Sequence, residues 1–222
     1  MNLLPPADYL TIDIGFRYIK IAQVRQRRNS DDLIIVNYGI GTTPKGCIKN
    51  GAIRDKERVR KEILTIIKEC DLTAKGAKIV ISGTNIITRI IMVEKVSENE
   101  QNNRIWNEIN GSLPIDINEH KVDFKVLGTI NNGEKEEIKV FVTAVSKKII
   151  NSYLDLLSEM NLKALSVDIP ANSVSKFFKK NVTSTEAEEW ERKQKVSRRQ
   201  YSDTVAVIDL GSETTIVNVL KN

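Results

Sequence analysis

The chain has 222 residues, 41% apolar, 28% charged and 5% aromatic, with a formal net charge of +5 and a pI near 9.1. That length suits one ordinary domain or two small ones, and that apolar share supplies a real core for a soluble globular protein. One histidine, His120, and two distant cysteines, Cys47 and Cys70, exclude a histidine-ligated metal cluster, a CxxC zinc site and a disulfide framework, and suit a reducing compartment.

The first six residues, MNLLPP, put two leucines ahead of two prolines, which opposes a smooth helix start and predicts an extended lead-in. The stretch 10–24, LTIDIGFRYIKIAQV, alternates Leu10, Ile12 and Ile14 with Thr11 and Asp13, breaks at Gly15, and resumes through Ile19, Ile21 and Val24. This is strand, tight turn, strand. Asp13 ends the first strand, Gly15 lets the backbone bend, Phe16 and Arg17 follow in the turn, and Lys20 returns a cation to the same end. Backbone N–H groups in such a turn can wrap phosphate oxygens, a lysine can balance their charge, and an aspartate can orient Mg2+ through its waters. Taken alone, the segment also fits an ordinary strand ending in a turn.

Residues 33–38 predict a third strand completing an antiparallel meander, and 41–52 a loop rich in turn formers. Asp55 predicts a helix cap, with Val59, Ile63, Ile66, Ile67 and Cys70 on one face, followed by a strand over 78–82. From Gly83-Thr84 the pattern changes: a strand over 86–93, a helix over 98–110 broken by Pro114, alternation at Val122, Phe124 and Val126, an Asn132-Gly133 hairpin signal, a strand over 138–145, and a helix capped by Ser146. A β-α-β-β-α unit inserted into the first layer fits this order, as does one continuous large sheet. The apolar run 86–93 is short and broken by Arg89, and no basic-then-apolar leader is present, so neither a spanning helix nor a signal peptide is expected.

Residues 165–169 read as a strand and Pro170 opens a short helix; 181–203, densely charged apart from Trp190, reads as a solvated linker or helical extension. The basic residues cluster (Arg25, Arg27 and Arg28; Lys147 and Lys148; Lys179 and Lys180; 192–199) without interleaved aromatics, which argues against nucleic acid. A solvated surface accounts for them; contact with anionic lipid is the alternative. Finally 204–220, TVAVIDLGSETTIVNVL, repeats the opening phrase: an apolar run, Asp209-Leu210-Gly211, a polar turn with Ser212, Thr214 and Thr215, and a second apolar run.

Strand–Asp-x-Gly–strand in duplicate resembles the actin-like ATPase superfamily, and the Asp13 to Lys20 spacing resembles the first phosphate loop of actin. Within the superfamily the chain is most similar to the FtsA-like PilM family of type IV pilus assembly, through IVISGTNIITRIIMVEKVSENE (79–100), WNEINGSLPID (106–116), VFVTAVSKKIINSYLDLLSEMNL (140–162) and VDIPANSV (167–174). The resemblance implies an α/β, partial actin-like ATPase (RNase H-like) fold. Residues 1–83 and 164–200 would form subdomain 1A, 84–163 a small inserted α/β subdomain used for protein contacts, and 201–222 the start of a second half. It further implies ATP and Mg2+ held between Asp13, Gly15, Phe16, Arg17 and Lys20 on one side and Asp209, Gly211, Ser212, Thr214 and Thr215 on the other, with Asp13 and Asp209 nearest the metal. The chain departs from the family where Phe16-Arg17-Tyr18 follows the first glycine in place of a small hydroxyl residue.

The function so implied is a cytoplasmic nucleotide-binding scaffold at the inner face of the cell membrane, with hydrolysis slow or absent. It would bind the short N-terminal cytoplasmic tail of a PilN-like inner-membrane protein and meet the membrane through that partner, with pilus assembly ATPases as further contacts. Asn2-Leu3-Leu4-Pro5 resembles the Asn-Leu-Leu-Pro motif of that tail, which suggests a segment seated in a neighbouring molecule's groove, or a fusion. Two other readings stay open: a working ATPase or phosphotransferase, for which Glu94 and Glu98 are the weak candidates to orient water, and an FtsA-like cell-division filament protein. Because the family continues beyond the second hairpin with the adenosine pocket, a fragment is expected, with weak phosphate-only affinity; whether it exposes a half-sheet that drives homo-oligomerisation stays open at this point.

Overall fold

The computed structural model describes residues 8–27, 32–131, 133, 135–181 and 204–221; the MNLLPP lead-in, Arg28, Asn132 and the charged stretch 182–203 with Trp190 lie outside them. The chain divides into two units, 1–82 with 156–222, and 83–155.

In the first unit β1 (Tyr9–Ile14) and β2 (Tyr18–Gln26) pair antiparallel with Asp13 opposite Lys20, and β3 (Leu33–Thr42) adds to β2 with Val36 as an extra residue. β3 runs four residues further than the alternation at 33–38 predicts. The expected loop at 41–52 contains a small hairpin, β4 (Ile48–Lys49) and β5 (Ala52–Ile53), because Asn50 (φ 50°) and Gly51 (φ 75°) both take the left-handed values a two-residue turn needs. Helix α1 (Lys56–Glu69) is capped as expected: the Asp55 carboxylate accepts from the Arg58 N–H at 3.1 Å, and Val59, Ile63 and Ile66 are buried. β6 (Gly76–Val80) lies parallel to β1.

The second unit is built from β7 (Ile86–Glu94), α2 (Glu98–Ser112), a 3-10 turn at 117–119, β8 (His120–Asn131) and β9 (Glu136–Ser146), in a sheet ordered β7-β9-β8. Its core gathers Ile91 and Val93 from β7, Ile105 and Ile109 from α2, and Val140, Val142 and Ala144 from β9. Trp106 meets Phe124 edge-on, ring centroids 5.6 Å apart. Helix α3 (Lys147–Glu159) begins in this unit and ends in the first.

Back in the first unit, β10 (Lys163–Asp168) pairs parallel with β6, which completes a five-stranded sheet ordered β10-β6-β1-β2-β3. Helix α4 (Pro170–Asn181) follows, then a separate two-stranded sheet, β11 (Thr204–Leu210) and β12 (Thr215–Lys221). Leu10, Ile12, Ile14, Ile19, Ile21, Ala77 and Ile79 are all buried, and by strand alternation they share the face on which α1 packs. The helix comes unusually close. A Cβ built on Gly39 would lie 2.6 Å from both the Cys70 sulfur and Ile66 Cγ2, and one on Gly41 would press on the Glu62 carboxylate and Ile66. The opposite face carries Thr11, Asp13, Lys20 and Lys78.

Since Ile63 is fully buried at the centre of this contact, Ile63→Ala removes buried methylenes and leaves a cavity. Chemical denaturation should show a loss of about 3 kcal/mol, whereas Leu64→Ala at a partly exposed position should cost less than half as much.

Candidate functional site

The first hairpin turns at Gly15, whose N–H donates to the Tyr18 carbonyl at 2.9 Å; a Cβ there would lie 2.9 Å from that oxygen, so the tight return needs glycine. Thr43 fixes the turn from the far end of β3. Its hydroxyl donates to the Gly15 carbonyl at 2.7 Å and its N–H to the Arg17 carbonyl at 3.0 Å, and the residue is buried. Nothing in local spacing marks Thr43; it reaches the turn because β3 extends to its doorstep. Asp13 and Lys20 form a loose ion pair at 3.4 Å, both about half exposed, while the Arg17 guanidinium lies 5.7 Å from the Tyr18 ring centroid.

The second hairpin repeats this geometry residue for residue. The Gly211 N–H donates to the Thr214 carbonyl at 3.0 Å, as Gly15 does to Tyr18, and a Cβ on Gly211 would lie 2.7 Å from that oxygen. Asp209 stands opposite Ile216, seven residues on, as Asp13 stands opposite Lys20. One difference matters chemically: an isoleucine replaces the lysine. The second turn offers hydroxyls (Ser212, Thr214, Thr215) and a carboxylate without that cation.

Asp13 and Lys20 line a cavity of about 390 Å³ on the sheet face opposite α1, together with Thr11, Lys78, Tyr38, Ser166, Asp168 and Ser173. Asp168 is the residue that sequence reasoning missed. It ends β10 in register with Val80, which is in register with Asp13, so the two carboxylates lie on one face two strands apart, about 10 Å between Cα atoms. An aspartate closing a parallel strand directly before Ile-Pro and a helix was the available signal. Burial pushes the Asp168 carboxyl up, but hydrogen bonds from Lys176 Nζ (2.8 Å), Asn172 Nδ2 (2.8 Å) and the Ile169 N–H (2.9 Å), with the Lys176 charge, outweigh it and hold the group below the usual carboxylate range.

Of the predicted residues of the first hairpin, Asp13 and Lys20 line this cavity, while Gly15, Phe16 and Arg17 are not among its lining residues. Those of the second lie on the β11–β12 sheet and do not line it; the link between them is α4, which starts beside the cavity at Ser173 and approaches β12. Glu94 is engaged by Arg104 at 3.2 Å and Lys135 at 3.5 Å within the second unit. His120 opens β8 and holds the Asp116 carbonyl at 2.8 Å, a structural role. No group of three or more His, Cys, Asp or Glu suited to a metal ion occurs among the described residues. The donor set of the first turn fits a phosphate bound with a hydrated Mg2+, which takes most of its ligands from water and phosphate rather than from protein.

Because the folded-state pKa of Asp168 is depressed, its stabilising effect is complete above about pH 4, the ordinary aspartate value, and fades as pH falls through the lower folded value. Urea unfolding from pH 7 to pH 2 should therefore show wild type more stable than Asp168→Asn at neutral pH, with the gap closing only on the acid side of about pH 4.

The family described as type IV pilus assembly protein PilM matches residues 11–222. Among solved structures, the PilM-PilN type IV pilus biogenesis complex is similar over 98% of this chain at 20% identity and a TM-score of 0.71. The chain covers 59% of that protein, so it spans less than two thirds of the relative's length. Two others match with lower scores: the cytoplasmic domain of EpsL, an inner-membrane component of the type II secretion system of Vibrio cholerae (11% identity, 73% of this chain and 57% of that one, TM-score 0.41), and a Bacteroides thetaiotaomicron protein with an actin-like ATPase fold and unknown function (10%, 98% and 71%, TM-score 0.37). The β10-β6-β1-β2-β3 sheet with its small additional unit is a partial actin-like fold, as the duplicated turns imply.

Proposed function

The chain belongs to the type IV pilus assembly protein PilM family, and on that premise we infer that it is a nucleotide-binding scaffold of pilus assembly whose phosphate contacts are divided between its two hairpins. The observation that carries this is the matched turn geometry, Gly15 to Tyr18 at 2.9 Å and Gly211 to Thr214 at 3.0 Å, each beginning two residues after an aspartate. Lys20 and Arg17 would balance phosphate charge, Ser212, Thr214 and Thr215 would donate hydroxyl hydrogens, and Asp13 and Asp209 would accept hydrogen bonds from waters on Mg2+. ATP bound there supplies the negative charge that ties the two turns together, and its occupancy would set how the parts of the scaffold are held.

The partner is the short cytoplasmic tail of a PilN-like inner-membrane protein, with the chain working on the cytoplasmic side of that membrane. Support comes from the PilM-PilN complex among the similar structures. No helix among the described residues is long and apolar enough to cross a membrane, which is consistent with attachment through a partner. Hydrolysis is slow or absent in this reading: Glu94, one candidate to orient water, is occupied by two cations.

Fluorescence anisotropy of a labelled PilN-type tail peptide, titrated with and without Mg-ATP, tests both parts. Tight binding that shifts at least threefold with nucleotide, with the shift lost in Asp13→Ala, is expected. Equal affinity with and without nucleotide would refute the coupling, and no binding in either condition would refute the partner assignment.

A further inference from the structure

Thr43 sits just past the end of β3 on a fixed base. The residue before a proline is confined to extended backbone, so Pro44 keeps Thr43 in line with the strand, and a side chain branched at Cβ has little rotamer freedom. The next residues are anchored in turn: the Pro44 carbonyl accepts from the N–H of the fully buried Cys47 at 3.1 Å, and the Lys45 carbonyl accepts from the Arg58 guanidinium of α1 at 3.3 Å. From that base the Thr43 hydroxyl donates to the Gly15 carbonyl at 2.7 Å and its N–H donates to the Arg17 carbonyl at 3.0 Å. In a trans peptide the carbonyl and the N–H of the next residue point in opposite directions. With the Gly15 oxygen turned toward Thr43, the Phe16 N–H points away from it, and among the described residues no backbone group accepts from that N–H. Phe16 itself is exposed.

We propose that Thr43 is the positioning residue of the first turn: by fixing the Gly15–Phe16 peptide it presents the Phe16 N–H to a polyphosphate oxygen and keeps the Gly15 carbonyl oxygen away from it. This rests on the reading of the hairpin as a phosphate contact and adds the group that sets its affinity. A peptide that follows glycine flips readily, because no Cβ opposes the rotation. Flipped, it would aim the negative end of a carbonyl dipole at the anion in place of an N–H, and attraction would become repulsion. The hydroxyl bond from Thr43 is what opposes the flip. A donor held in place before the ligand arrives costs no ordering on binding, so the clamp acts on affinity and not on folding alone. It does this without touching the ligand, since Thr43 is 4% exposed and its hydroxyl is committed to Gly15. Arg17 and Lys20, on the same turn, supply the positive charge that makes a polyphosphate the fitting anion.

Nitrogen–proton spectra of the full chain, titrated with sodium tripolyphosphate and separately with Mg-ATP, test this in wild type, Thr43→Val and Thr43→Ser. Valine keeps the branched shape and loses the donor, and serine restores the donor. In wild type the Phe16 amide should shift to saturation with tripolyphosphate. Thr43→Val should bind it about tenfold more weakly, the effect of one hydrogen bond, with the Gly211 amide of the other turn unmoved in the ligand-free spectrum, and Thr43→Ser should bind as wild type does. Thr43→Ala is a second variant without the hydroxyl and should weaken binding as Thr43→Val does. A folded Thr43→Val or Thr43→Ala protein that binds as wild type does, a loss that Thr43→Ser does not recover, or a Phe16 amide that stays still in wild type would each overturn the proposal. The Mg-ATP arm separates it from the nucleotide reading. Wild type that binds tripolyphosphate but not Mg-ATP keeps the role of Thr43 and removes the nucleotide, whereas Mg-ATP that moves Gly211 and leaves Phe16 in place keeps the nucleotide and removes the role of Thr43.

Discussion

The strict alternation of β1 is the constraint from which the arrangement follows. With Leu10, Ile12 and Ile14 at 0–3% exposure, Thr11 and Asp13 are forced to the opposite face, and a slip of one residue would invert the whole assignment. The neighbours repeat the same sense: Ile19 and Ile21 on β2 and Ala77 and Ile79 on β6 go down beneath the helical layer, while Lys20 and Lys78 come up. Burying α1 against β2 and β3 is therefore what presents a carboxylate and two lysines together on the opposite side. Fold stability and site chemistry are two readings of one periodicity.

The duplicated turns show how far similar backbones can differ in chemistry. Both return a chain tightly after an Asp-x-Gly step, and both would clash with any Cβ at the glycine. The first adds lysine and arginine and is clamped by Thr43; the second adds hydroxyls and puts Ile216 where the lysine would be. Charge compensation thus belongs to one turn and neutral hydrogen bonding to the other, a division that suits a polyphosphate approached from two sides.

Local signals in the sequence were enough for the meander, the Asp55 cap of α1 and both Asp-x-Gly turns. What escaped was set by pairing between distant strands. Asp168 joins the cavity only because β10 lies parallel to β6 and β6 to β1, and parallel partners leave no mark in the periodicity of a single strand. Thr43 escaped for a related reason, since its partners are 28 and 26 residues back along the chain. Gly41 misled in the opposite direction: it reads as a turn former, yet like Gly39 it is a strand residue whose missing side chain lets α1 approach. The β4–β5 hairpin escaped because it depends on two consecutive positive φ values, at Asn50 and Gly51, rather than on an apolar pattern.

The claim that the two hairpins serve one ligand is tested most directly by following the backbone amides of Gly15 and Gly211 in a two-dimensional nitrogen–proton spectrum while Mg-ATP is added. Both resonances should move along a single saturation curve with one dissociation constant. If only one of them responds, or if the two saturate at different nucleotide concentrations, the turns do not share a ligand.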